Sequence, residues 1–184
     1  MLFTSEVDAL QVIVNCYVPW EHGFVMLCKP RRGWWYLPGG KVEEHELWRL
    51  AAMREFAEET GITLTDAALR GIYQVRIAGG PDEEPKHRLI AQFVGYGASG
   101  VLLPQHREGK LAVVRPDEML GLPMDEGDRL MLKRTIAAEY QGDKRVFFGR
   151  FEYDVQHKLL ACEMDPANYE FDPPFGAAQE GDAM

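Results

Sequence analysis

GKVEEHELWRLAAMREFAEETGI, residues 40–62, carries more of this chain's meaning than any other stretch. Residues 46–60 have helical length and composition. At about 100° per residue, Glu55, Glu58 and Glu59 project from one side, and Leu50, Met53, Phe56 and Ala57 from the other. Such a helix buries its apolar stripe and gathers three carboxylates at i, i+3 and i+4, where each like-charged pair costs about 0.2–0.5 kcal/mol. A cation is expected to offset that repulsion. The flanks belong to the same device. Leu37-Pro38-Gly39-Gly40 suits a tight loop whose backbone approaches a ligand closely, Gly61 suits a left-handed helix cap, and Ile62 restarts an apolar strand.

A hard divalent ion fits the carboxylates, because Mg²⁺ prefers oxygen ligands and commonly bridges them to substrate phosphates. The spacing also resembles, at every defined position, the signature of the Nudix hydrolases, G-x5-E-x7-R-E-U-x-E-E-x-G-U, where U is a bulky aliphatic or similar residue. Those positions are Gly40, Glu46, Arg54, Glu55, Phe56, Glu58, Glu59, Gly61 and Ile62, with Phe56 at an aliphatic position as the one departure. The resemblance implies an α/β (α+β) fold, an α/β/α sandwich with a mixed β-sheet and the signature as a loop–helix–loop. It implies water attack on a phosphorus of a nucleoside diphosphate linked to another group, with Mg²⁺ or Mn²⁺ as cofactor. Glu55, Glu58 and Glu59 would then be catalytic and metal-ligating, joined by the Gly39 carbonyl and by an acidic residue from a distant loop, for which Glu108 is the candidate and Asp117 or Glu118 the substitutes. Glu46 and Arg54 would be structural supports, and Lys41 and Arg32 substrate-binding.

The segment from Lys29 to Glu43, with Glu108-Gly109-Lys110-Leu111 and Leu122-Pro123-Met124 downstream, is similar to the MutT-like bacterial branch, often described as 8-oxo-dGTP diphosphatase. The implied reaction is hydrolysis of a nucleoside triphosphate, with 8-oxo-dGTP among the candidates, to monophosphate and pyrophosphate. The alternatives are another nucleoside diphosphate conjugate as substrate, or a nucleotide-sensing module without turnover. Trp35 occupies a position usually held by a packed tryptophan in the family, whereas Trp34, Tyr36 and Trp48 suit either packing or base stacking.

Elsewhere, alternating patterns predict strands at 10–18, 24–28, 34–37, 68–77, 88–96 and 110–115. A second helix is capped by Asp125 and runs to about residue 139, and a hairpin follows over 145–153 and 158–162 around Asp154. Tyr73 and Phe93 read as core. The expected organisation is one domain over 1–164, including the hairpin, and an acidic Pro/Gly-rich tail over 165–184. From Leu159 onward there are six acidic residues and neither Lys nor Arg. Cys16, Cys28 and Cys162 lie in separate apolar segments and read as buried free thiols. The net charge of −9 argues against a nucleic-acid polymer or an anionic membrane surface as partner, and leaves a small-molecule nucleotide. With neither a signal-like start nor a membrane-length apolar run, a cytoplasmic enzyme is expected. The oligomeric state is open.

Overall fold

The computed structural model describes residues 10–169. Its elements, in chain order, are β1 (Gln11–Tyr17), β2 (Pro19–Trp20), β3 (Gly23–Lys29), β4 (Trp34–Tyr36), β5 (Gly39–Lys41), α1 (Trp48–Thr60), β6 (Ile62–Thr63), β7 (Asp66–Ile77), β8 (Lys86–Tyr96), β9 (Ser99–Gly100), β10 (Gln105–His106), β11 (Gly109–Val114), α2 (Pro116–Met119), α3 (Glu126–Gln141), β12 (Phe147–Tyr153) and β13 (Leu159–Asp165). Six strands form a mixed sheet in the order β13-β12-β7-β8-β1-β5, in which β12 runs parallel to β7 and β8 parallel to β1. A second sheet is built on β3, which pairs with β2, β4 and β11.

Alternation along the central strands sorts side chains onto two faces. Val14 and Cys16 of β1 and Ala91 and Phe93 of β8 join Ala51, Ala52 and Phe56 of α1 in one buried cluster. Tyr17 and Val94, from the other face, join Leu132 and Ile136 of α3, while Tyr73, Val75 and Phe151 pack on Met131 and Ala138. The sheet therefore lies between α1 and α3, as the resemblance implies. α3 is held by the buried Arg70, whose Nε donates to Glu139 Oε1 at 2.8 Å, and is capped as expected by Asp125, whose Oδ1 accepts from Gly127 N at 2.9 Å.

Four local expectations change. α1 begins at Trp48 rather than Glu46, because Leu47 just before it is extended, at φ −72° and ψ 130°. Its buried stripe is Ala51, Ala52, Phe56 and Thr60, together with Glu59, while Leu50 is 46% exposed. The reason is the partner surface: Gly39 and Gly40, read from sequence as a loop, form β5 and pair with β1, so small residues bring the helix close to the sheet. A Cβ on Gly40 would strike the Glu55 carboxylate, which is what requires glycine there. Gly61 does cap α1 in the left-handed region, at φ 77°, with its N–H on Ala57 O at 2.9 Å. All three cysteines are free, but only Cys16 is buried; Cys28 is half-buried and Cys162 exposed, since it lies on the outer strand of the hairpin.

The fourth change concerns the start of the tail. β13 runs to Asp165, the Pro166 carbonyl accepts from Arg134 Nη1 at 2.6 Å, and the Tyr169 ring meets Phe147 edge-on at 4.8 Å. The rest of the expected tail, 170–184, lies outside the described residues, as do 1–9. Among the described residues, no helix is long and apolar enough to cross a membrane.

Candidate active site

Arg54 organises the carboxylates around α1. Its Nε and Nη2 donate to Glu46 Oε1 and Oε2, both at 2.8 Å, its Nη1 donates to Glu55 Oε1 at 2.9 Å, and Glu58 Oε2 lies 3.5 Å away. The Glu46 carboxylate also accepts from Glu43 N at 3.0 Å, which ties the turn before the helix to its second turn. This forked pairing holds the Glu46 carboxyl below the usual carboxylate range, through Arg54 first and foremost. Arg54 and Glu46 are thus paired with each other at the edge of the carboxylate cluster.

The three signature glutamates share one side of α1 but differ in depth. Glu58 is more than half exposed, Glu55 lies beneath Gly40, and Glu59 is 2% exposed. Glu59 Oε2 accepts from Gly39 N at 2.8 Å, while Glu59 Oε1 is buried without a hydrogen-bond partner. Glu108, from the distant β10–β11 turn, comes to the same place: its Oε2 accepts from Lys29 Nζ at 2.6 Å, and its charge acts on Glu59. Burial pushes the Glu59 carboxyl up to about 7, aided by Glu108 and Glu55 and opposed by the Gly39 N–H and Lys29. Among the described residues no group of three or more Asp, Glu, His or Cys is drawn tightly enough to hold an ion as it stands. The charge balance nevertheless favours a cation. Five carboxylates, Glu46, Glu55, Glu58, Glu59 and Glu108, face two cations, Arg54 and Lys29. The orphaned Glu59 oxygen supplies a hard acceptor at its centre, so the donor set fits a divalent ion.

On the α3 side of the sheet lies a cleft of about 480 Å³ that reaches Gly39 and Lys29. β4 divides its aromatics by alternation: Trp34 and Tyr36 line the cleft, whereas Trp35 packs into the core against the Phe24 and Val114 cluster. Trp48 packs on the α1 cluster. Arg32 reaches the cleft and lies over the Trp34 ring at 5.0 Å; Lys41 is exposed and does not line it. The floor is formed by Ile13 and Asn15 of β1 and Ile90 and Gln92 of β8, with Asp128 of α3 on the wall. Asn15 Oδ1 and Gln92 Oε1 are buried without hydrogen-bond partners. Sequence reading missed these residues. The available signal was polar side chains at alternate positions of strands whose other positions are apolar, which marks a face that is not simply core.

Comparison with known proteins places the fold. A model of the NUDIX domain matches residues 9–135. A Bacillus subtilis (strain 168) protein named "Uncharacterized Nudix hydrolase YvcI" is 34% identical over 157 residues, covering 85% of this chain and 96% of that protein. The crystal structure of a mutator MutT protein from Bacillus halodurans superposes with a TM-score of 0.76 at 36% identity, covering 85% of this chain and 99% of that one. The NUDIX domain of NrtR from Shewanella oneidensis, solved with ADP-ribose, has the same fold at 13% identity, with a TM-score of 0.56 over 70% of this chain and 87% of that one.

Proposed function

The chain belongs to the Nudix hydrolase family, and from that membership we propose that it is a divalent-metal-dependent pyrophosphohydrolase of nucleoside triphosphates, with 8-oxo-dGTP among its candidate substrates. It is a hydrolase of nucleoside diphosphate derivatives at the least. The observation that carries the finer reading is the Glu59 carboxylate, buried beside Gly39 with one oxygen unpartnered, in a cluster where carboxylates outnumber cations. Glu55, Glu58, Glu59 and Glu108, with the Gly39 carbonyl, would hold Mg²⁺ or Mn²⁺. A divalent ion bound there neutralises phosphate charge and lowers the pKa of water. Arg54 and Glu46 fix the glutamates in place, Lys29 balances Glu108, and Trp34 and Tyr36 offer faces on which a base can stack. The intact glutamate set favours turnover over nucleotide sensing without hydrolysis.

The test is release of phosphate or pyrophosphate from dGTP, 8-oxo-dGTP, ADP-ribose and diadenosine polyphosphates, with Mg²⁺ or Mn²⁺ and with EDTA. The expected result is EDTA-sensitive release of pyrophosphate from a triphosphate. Preference for ADP-ribose would replace the substrate class, and silence across the panel would overturn the reading. The role of Arg54 has its own signature. Arg54→Ala is expected to weaken Mn²⁺ affinity by about 10- to 100-fold, and Arg54→Lys to restore little of it, because a single ammonium cannot reproduce the fork to Glu46 and Glu55. Manganese titration followed by electron paramagnetic resonance measures this; wild-type affinity in Arg54→Ala would remove Arg54 from the scaffold.

A further inference from the structure

The cleft floor changes chemistry along its length. On β8, Lys86, Arg88, Ile90 and Gln92 alternate onto the cleft face, and all four line it. The strand register sets their neighbours: Gln92 lies beside Asn15, which pairs with Gly39; Ile90 lies beside Ile13; Arg88 lies beside Val75; and Lys86 lies beside Ile77, which pairs with Tyr153 of β12. The floor thus runs from neutral amides next to Gly39, through an apolar middle, to a cationic end beneath the hairpin. At about 3.3 Å per residue, Arg88 lies roughly 13 Å and Lys86 roughly 20 Å from Gln92.

Two further groups converge on that end. Arg32 comes from the β3–β4 turn, and His157 from the β12–β13 turn, which lies beyond the matched family domain. The imidazole is pushed towards its neutral form by burial first and then by the charges of Arg32, Arg88 and Lys86, with Asp125 opposing. The cations have little to balance them. Among the described residues Arg88 makes no ion pair or side-chain hydrogen bond, Arg32 only overlies Trp34, and Lys86 reaches the exposed Glu83 at 3.9 Å. Of the cleft carboxylates, Asp125 is engaged by Tyr153 Oη at 2.5 Å and by the Gly127 and Asp128 amides. Asp128 has its carboxyl pushed up to about 7 by burial and by Asp125, against the pull of Arg88, and so balances Arg88 only in part near neutrality. A half-buried, unpaired guanidinium is costly, and an oxyanion with two or more oxygens satisfies its fork.

We propose that the hairpin end of the cleft, formed by Arg88, Lys86, Arg32 and His157, is a second anion subsite that takes a phosphate group other than the polyphosphate held at the glutamates. That group is a phosphate elsewhere on the bound nucleotide or a free phosphate-class ion. The ligand class rests on the nucleotide reading above, whereas the site rests on the floor of the cleft.

The test is made without turnover. In EDTA, calorimetric titrations of the full chain compare adenosine and guanosine 5′-monophosphates with the corresponding 3′,5′-bisphosphates, and with pyrophosphate alone. For at least one base, the bisphosphate is expected to bind about tenfold more tightly than the monophosphate, as charge-assisted hydrogen bonds allow. Most of that advantage is expected to be lost in Arg88→Gln and in Lys86→Gln, the second lying at an exposed strand end where folding is not at stake. Pyrophosphate binding that is lost in the same variants would support the subsite and identify a free ion as its source. Equal binding of mono- and bisphosphates, together with pyrophosphate binding that is absent or indifferent to both substitutions, would overturn it. Failure of metal-dependent hydrolysis with the bisphosphate advantage intact would sink the catalytic reading alone.

Discussion

Glu59→Gln is expected to lower metal-dependent kcat by about 10³-fold while nucleotide binding in EDTA stays within a few-fold of wild type. The substitution is nearly isosteric. Its amide oxygen can still accept from Gly39 N, so the β5–α1 junction that depends on this 2.8 Å contact should persist. What disappears is the negative charge at the most buried position of the cluster and the hard acceptor represented by the unpartnered Oε1. A loss of several kcal/mol of electrostatic stabilisation corresponds to that fall in rate. Glu58→Gln, at a more exposed position on the same helix, is also expected to bind nucleotide and lose most turnover. Phosphate release at saturating Mg²⁺ decides the matter: activity of Glu59→Gln within about tenfold of wild type would remove Glu59 from the metal set.

Much of this arrangement was legible in the sequence, because the spacing of Arg54, Glu55, Glu58 and Glu59 is local information. A helix converts such spacing into position without help from the rest of the chain. The Asp125 cap and the hairpin around Asp154 are local in the same sense, and both form as expected. The errors arise where a distant partner decides. Periodicity puts Leu50 on the buried stripe, yet the face that packs is chosen by the sheet, where Ala51 and Ala52 join Val14, Cys16, Ala91 and Phe93. Gly39 and Gly40 have poor strand propensity and form a strand only because β1 is there to pair with them. Glu108 meets Lys29 across 79 positions of sequence, and its place was suggested by resemblance rather than by any pattern of its own. The cleft was the least legible part. Asn15, Gln92 with Arg88, and His157 are on three segments brought together by a parallel β1–β8 pairing and a hairpin, and pairing of that kind leaves no mark in a single window.

In EDTA the protein is expected to lose stability as pH rises from about 4.5 to above 7, and Mg²⁺ is expected to narrow the loss. Burial holds the Glu59 carboxyl at about 7, above its ordinary value, so the folded state prefers the protonated acid. For a group shifted in that direction, the stabilisation is complete below the ordinary carboxylate pKa and vanishes as pH climbs through the folded-state value. The contribution of Glu59 is therefore a fall in Tm across this window. Asp128, raised to about 7 mainly by burial, pulls in the same direction, whereas His157, pushed towards its neutral form by burial, pulls the other way, so Asp128→Asn and His157→Gln separate their parts from that of Glu59. A divalent ion binds the ionised carboxylate and releases its proton, so its stabilising effect must grow over the same pH range in which the metal-free protein weakens. Melting curves at pH 5.5 and pH 8, with EDTA and with Mg²⁺, test both halves. Glu59→Gln should flatten the EDTA profile and shrink the Mg²⁺ effect; an EDTA profile that rises with pH in wild type would show that Glu59 is not the buried acid that the metal relieves. The strain of a buried charge and the affinity for a cation are two aspects of one arrangement, since the cost of ionising Glu59 without metal is the part of the binding energy that metal recovers.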